Sequence, residues 1–114
     1  MLQFLVTAYD GTDDDAPKRR NATKDEHLAL GKQMMSTGHI LFSTAIIDDE
    51  EQAIGSCRVM QFESRAELDD WLEREPYVVN NVWDRDKIDV RRCRMGPMFE
   101  WMTLEPGSER LDKG

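Results

Sequence analysis

The sequence predicts an α+β fold in which one antiparallel sheet carries two helices on a single face. Three observations lead there. Several segments alternate apolar and polar residues with period two, as strands do. Two Ser/Thr-x-x-Glu sequences mark helix starts. The order of these segments along the chain reads β-α-β-β-α-β. With 114 residues, 39% hydrophobic and 33% charged, the chain has the size of one ordinary domain of ~100–150 residues.

The first strand is Met1–Tyr9, where Leu2, Phe4, Val6 and Ala8 alternate with Gln3, Leu5, Thr7 and Tyr9. Asp10-Gly11 stops it, and the polar, turn-rich stretch to Asn21 reads as a loop. Thr23 and Glu26 then form a capping box, and the spacing predicts a helix over residues 24–37. Its buried side is expected to be Leu28, Leu30, Met34 and Met35, and Gly38 suits the left-handed stop beyond the last turn. Ile40–Ile47 is the second strand, ending in the solvated run Asp48-Asp49-Glu50-Glu51. Ser56–Phe62 alternates again as the third. Ser64 and Glu67 form a second capping box, followed at helical spacing by Leu68, Trp71 and Leu72. That helix must end before Pro76, because a proline disfavours helical geometry at the residue preceding it. After a short irregular piece, Lys87–Arg94 holds Ile88 and Val90 in an alternating frame and is the fourth strand. Phe99, Trp101 and Leu104 suggest a short edge strand or tail, and the last ten residues a frayed end. The expected organisation is one domain over residues 1–95 and a C-terminal extension over 96–114.

This is the split βαβ, or ferredoxin-like, arrangement, with one sheet face left uncovered. Phe4, Phe42 and Met60 are expected to place apolar side chains on that face. An uncovered apolar sheet marks an interface, and two such sheets packed face to face make a symmetric homodimer.

Composition narrows the function classes. No apolar run nears the ~20 residues that span a bilayer, and no charged-then-apolar leader precedes the first strand, so a cytoplasmic protein is expected. The net charge of −8 repels nucleic-acid phosphates. Cys57 and Cys93 lie far apart with no CxxC, which speaks against zinc and against a disulfide framework. Asp10, Asp13, Asp14 and Asp15 lack the spacing of a calcium loop. No metal or cofactor is expected. Arg91, Arg92 and Arg94 fall on both faces of a strand and read as salt-bridge surface, and the seven methionines as adaptable packing.

Few residues remain that can carry chemistry. His27, placed by this reading in the first turn of a helix, would feel the positive end of the helix dipole, which favours a neutral imidazole able to act as a base. On spacing alone a lone histidine fits an exposed or half-packed residue touching a neighbouring strand better than it fits a base. In Glu75-Pro76-Tyr77 the proline fixes the backbone, so Glu75 can orient His27 and Tyr77 can donate to an oxyanion, or the tripeptide can simply end a helix. Arg19 and Arg20 can clamp an anion in bidentate fashion, or balance the acidic run beside them. Ser56 follows Gly55 without the G-x-S-x-G elbow of a nucleophile.

Taken in order, Arg19 or Arg20, His27-Leu28, Gly38, Gly55-Ser56, Glu75-Pro76-Tyr77 and a final strand from Lys87 resemble the YciI-like (YCII-related domain) family over residues 1–95. The resemblance implies a dimeric α+β barrel, of the superfamily that includes muconolactone isomerases and small monooxygenases. It also implies an active site between sheet and helices, near a histidine–aspartate dyad. His27 matches the histidine. Glu75 stands where the family has the aspartate of Asp-Pro-Tyr, one methylene longer. Ser56 and Tyr77 match pocket-lining positions. One branch of the family resembles a dehydrochlorinase of a chlorinated hydroxyquinol.

The leading expectation is therefore a small enzyme doing cofactor-free acid–base chemistry on a small anionic, aromatic or enolic molecule. His27 and Glu75 would be catalytic, and Arg19, Arg20, Ser56 and Tyr77 would bind substrate. The alternative is a ligand-binding or regulatory module that uses the same pocket without turnover. A haem or flavin monooxygenase is a third reading and predicts a coloured protein.

Overall fold

Pairing of the central strand with both its neighbours organises the molecule. A computed structural model describes residues 1–103. The elements run β1 (Leu2–Asp10), α1 (Ala16–Ser36), β2 (Ile40–Ile47), β3 (Ala53–Phe62), α2 (Arg65–Arg74), α3 (Pro76–Val79) and β4 (Trp83–Cys93), followed by a 3-10 segment Pro97–Thr103. The sheet order is β2-β3-β1-β4, with every pairing antiparallel. The ferredoxin-like α+β architecture expected from the sequence is the one observed.

In β1 the side chains of Phe4, Val6, Ala8 and Asp10 all lie buried, while Tyr9 is exposed. Phe4, Val6 and Ala8 join Met60, Phe62, Leu68, Trp71, Tyr77, Val82 and Trp83 in one core between sheet and helices. Gly38 adopts φ 81° after α1, the left-handed region that glycine enters without strain. Ser64 caps α2 by accepting from the Glu67 amide at 3.2 Å, while the Glu67 carboxylate reaches the Glu63 amide at 3.2 Å.

Five expectations are corrected. First, α1 begins at Ala16, eight residues earlier than its sequence signal. Pro17 lies in its first turn, where a fixed φ and a missing N–H cost nothing. Thr23 is consequently inside the helix, buried, with its hydroxyl accepting from Asn80 Nδ2 at 3.3 Å in place of a capping bond. His27 lies mid-helix, beyond the reach of the helix dipole, which fades within the first turn.

Second, the inward stripe of α1 is Ala16, Thr23, His27 and Met34, with Leu30 half-buried. Leu28 and Met35 are exposed. Third, residues 76–79 form a short helix within the stretch expected to be irregular, and β4 starts at Trp83. Fourth, Phe4 and Met60 belong to the covered face. They are direct partners across β1 and β3, so they point the same way, and the helices bury both. A register shift in β2 pairs Phe42 with Val59, and of the three only Phe42 is exposed.

Fifth, Phe99 and Trp101 lie in the 3-10 segment and form no edge strand, because Pro97 has no N–H with which to extend the ladder. Leu104 and the residues after it lie outside the described part. Leu5, Phe42, Val59, Cys93, Met95 and Phe99 line an apolar groove of about 430 Å³. No helix among the described residues is long and apolar enough to cross a membrane.

Candidate active site

Polar side chains are concentrated at one place beneath the helices. His27 comes from α1, Arg58 from β3, Glu75 and Tyr77 from the α2–α3 junction, and Trp83 from the start of β4; all five are buried. Glu75 closes α2 and caps α3. Its backbone N–H bonds back to Trp71 and Leu72, and its side chain accepts from the Tyr77 amide at 3.2 Å. Pro76 holds this junction, so the carboxylate is aimed by two helix ends at once.

The same oxygen, Glu75 Oε1, is hydrogen-bonded to His27 Nδ1. The other ring nitrogen, Nε2, lies 3.2 Å from Arg58 Nη2. The phenol ring of Tyr77 stacks flat on the imidazole, with centroids 3.8 Å apart and planes at 5°. Trp83 meets the imidazole edge-on at 5.8 Å. On the far side of Tyr77 the Arg20 guanidinium lies 4.9 Å above the ring, held by both Asp10 oxygens at 2.8 and 3.0 Å. The result is a column of Arg20, Tyr77 and His27 with a carboxylate gripping each end.

Burial sets the electrostatics. It pushes the Asp10 carboxyl up, with the Arg20 charge opposing. It raises Tyr77 as well, so the phenol keeps its proton through the neutral range. It pulls Arg58 down, with the charges of Glu75 and Tyr77 acting the other way. A cavity of about 580 Å³ opens nearby, lined by Tyr9, Asp10, Ala16, Pro17, Ile54 and Lys87 among others. Asp10 therefore belongs both to this cavity wall and to the column leading to His27.

Among the residues singled out in the sequence, His27, Glu75, Tyr77 and Arg20 come together. Arg19 turns elsewhere, with two bonds to Asp13 at 2.6 and 2.8 Å and one to the Asn81 carbonyl at 3.0 Å. Ser56 is buried on β3 and donates to the Thr44 carbonyl at 3.3 Å. Three members went unread in the sequence: Arg58, Asp10 and Trp83. For Arg58 there was a signal, since it shares a period-two frame with the core residues Met60 and Phe62. No group of His, Cys, Asp and Glu among the described residues could hold a metal ion.

The model of the YCII-related domain family matches residues 2–90, most of the chain. The chain belongs to the YCII-related domain family. Among solved structures, this YCII-related domain is similar to a 5-chloro-2-hydroxyhydroquinone dehydrochlorinase from Burkholderia phenoliruptrix, solved in complex with 2,5-dihydroxybenzoquinone. The TM-score is 0.70 at 20% identity, covering 84% of this chain and 97% of the other. It is also similar to an antibiotic biosynthesis monooxygenase, with a TM-score of 0.50 at 16% identity, covering 85% and 100% of the two chains. At these identities the likeness is one of fold. No curated protein matches the sequence.

Proposed function

We propose that this YCII-related domain is a small enzyme that performs cofactor-free acid–base chemistry, of the isomerase, lyase or dehydrochlorinase type, on a small anionic aromatic or enolic molecule. The observation that carries the reading is the buried hydrogen bond between His27 Nδ1 and Glu75 Oε1. A carboxylate at Nδ1 orients the ring and compensates the imidazolium that forms when Nε2 takes a proton. Elimination or isomerisation of an enolic compound needs such a base and a holder for the resulting oxyanion. Arg58 and the Tyr77 phenol are the donors nearest the imidazole, with Arg20 behind Tyr77. The solved dehydrochlorinase with its bound dihydroxybenzoquinone supports testing planar hydroxylated rings first.

The test is turnover of 5-chloro-2-hydroxyhydroquinone and related hydroxyquinols, followed by absorbance, in wild type and His27→Ala. We expect the variant to lose about 10²–10⁴-fold in rate, the usual worth of a general base, with its circular dichroism unchanged. Equal rates in the two proteins would overturn the reading.

One observation favours a second reading, a binding module without turnover. Both nitrogens of His27 are already bonded. Under that reading a hydroxyquinol would bind and be recovered chemically intact.

We further propose that the open sheet face pairs two copies of this chain. The apolar groove lined by Leu5, Phe42 and Val59, in which Phe42 is exposed and Leu5 half-buried, supports this, because an apolar surface groove is a common seat for a second copy.

A further inference from the structure

Arg58 is an unusual side chain for the middle of a strand. It lies opposite Val6 in the centre of the sheet and is 3% exposed. The rings of Trp71 and Trp83 lie 5.7 and 5.8 Å from its guanidinium carbon. Its one hydrogen bond among the described residues goes from Nη2 to His27 Nε2, and its Nε and Nη1 have no partner there. A buried cation with unused donors is costly, so the arrangement calls for a reason.

The chemistry of the contact supplies one. A guanidinium has donors and no acceptor, so the nitrogen it approaches must offer a lone pair. The imidazole then carries its single proton on Nδ1, where Glu75 accepts it. Glu75 alone, with a carboxylate at Nδ1, is equally satisfied by imidazole or imidazolium. Arg58 is not, because a proton on Nε2 would face its charge directly. We propose that Arg58 is the positioning residue of this site, fixing His27 as the neutral Nδ1–H tautomer and covering the Nε2 lone pair until a ligand draws the guanidinium aside. This deepens the acid–base reading and rests on it for its catalytic meaning. The unused Nε–H and Nη1–H donors give an anionic substrate its role: an oxyanion supplies the acceptor that they lack, and Nε2 is released as the base.

The test is long-range proton–nitrogen correlation NMR of the histidine rings in the ligand-free, ¹⁵N-labelled full chain. His39 serves as the internal control; its Nδ1 bonds the Thr37 hydroxyl at 2.7 Å, away from Arg58. In wild type we expect the neutral ring of His27 to carry its proton on Nδ1. Arg58→Met should raise the Nε2–H population several-fold, and Arg58→Lys should restore the wild-type pattern in part. His39 should not change in either. Glu75→Gln should keep the Nδ1–H form, since a side-chain amide can turn its carbonyl toward that proton while Arg58 still excludes one from Nε2. An Nε2–H ring in wild type would overturn the proposal, as would an unchanged tautomer in Arg58→Met. If Arg58→Met does not fold, the Glu75→Gln spectrum decides: loss of the Nδ1–H form there assigns the control to Glu75 and defeats the proposal. Because no ligand is present, these outcomes are independent of whether His27→Ala retains activity.

Discussion

Glu75 concentrates three tasks in one buried carboxylate. Its Oε1 accepts from the imidazole of His27 and from the Tyr77 amide, and its charge supports Arg58. Glu75→Ala leaves two buried donors and one buried cation uncompensated, so we expect a stability loss of about 3 kcal/mol in urea unfolding. Glu75→Gln keeps an acceptor and should lose less than half of that. At this scale the sequence was informative where the chain carries a short rigid motif. Glu75-Pro76-Tyr77 and His27 could be named because proline and imidazole announce themselves. Arg58 was marked only by its period-two frame with Met60 and Phe62, a weak signal because an arginine in an alternating strand is ordinarily solvated. The packing of two tryptophans around it shows why it is buried. Asp10 was hidden by its neighbour: Asp10-Gly11 reads as a turn, yet the carboxylate still belongs to the strand's inward face.

Among the elements, α1 shows most clearly why a reading from hydrophobic pattern falls short. Its first three turns present Ala16, Arg20 and Thr23 on the side that later carries His27 and Met34. A helix that lines a polar site has no apolar stripe there, so its first eight residues looked like loop. The second helix packs Leu68 and Trp71 into the core, and its start and stop were both legible. The early start of α1 is tied down by Arg19, which joins Asp13 to the Asn81 carbonyl and so clamps the helix N-terminus to the α3–β4 loop. Arg19 holds the Asp13 carboxyl down, at about 2 against the ordinary 3.8. A depressed carboxylate stabilises the fold above its unfolded value and ceases to do so as pH falls through the folded one. Wild type should therefore melt slightly higher than Asp13→Asn at about pH 6, and the difference should vanish by about pH 1. Thermal unfolding at the two pH values checks this, and a gap that persists in acid would assign the effect to something other than the ion pair.

For the whole molecule, the strand order followed from the element order, while the faces of the strands did not. Which side of β2 meets the helices depends on the register shift between Ile40 and Phe42, and a bulge of that kind leaves no mark in the alternation itself. The proposed pairing of two copies is best tested at Phe42, which is exposed on the edge strand β2 and lines the apolar groove. Phe42→Asp should convert a dimer to a monomer in light scattering at micromolar concentration, with an unchanged far-ultraviolet spectrum. A wild type that is already monomeric would dismiss the pairing.

The position of β1 has a further consequence, for how the chain is made. It is the first strand to be synthesised, and it needs a partner on each side, β3 and β4. At ribosomal rates of ~5–20 residues per second, the stretch from β1 to β4 takes about 4–16 s to emerge. Throughout that time β1 has at least one bare edge, with its apolar side chains and unpaired amides open to any neighbouring strand. The nascent chain thus stays open to aggregation until its last strand arrives. A chain truncated ahead of β4 would leave that edge bare for good and remove Trp83 from the side of His27.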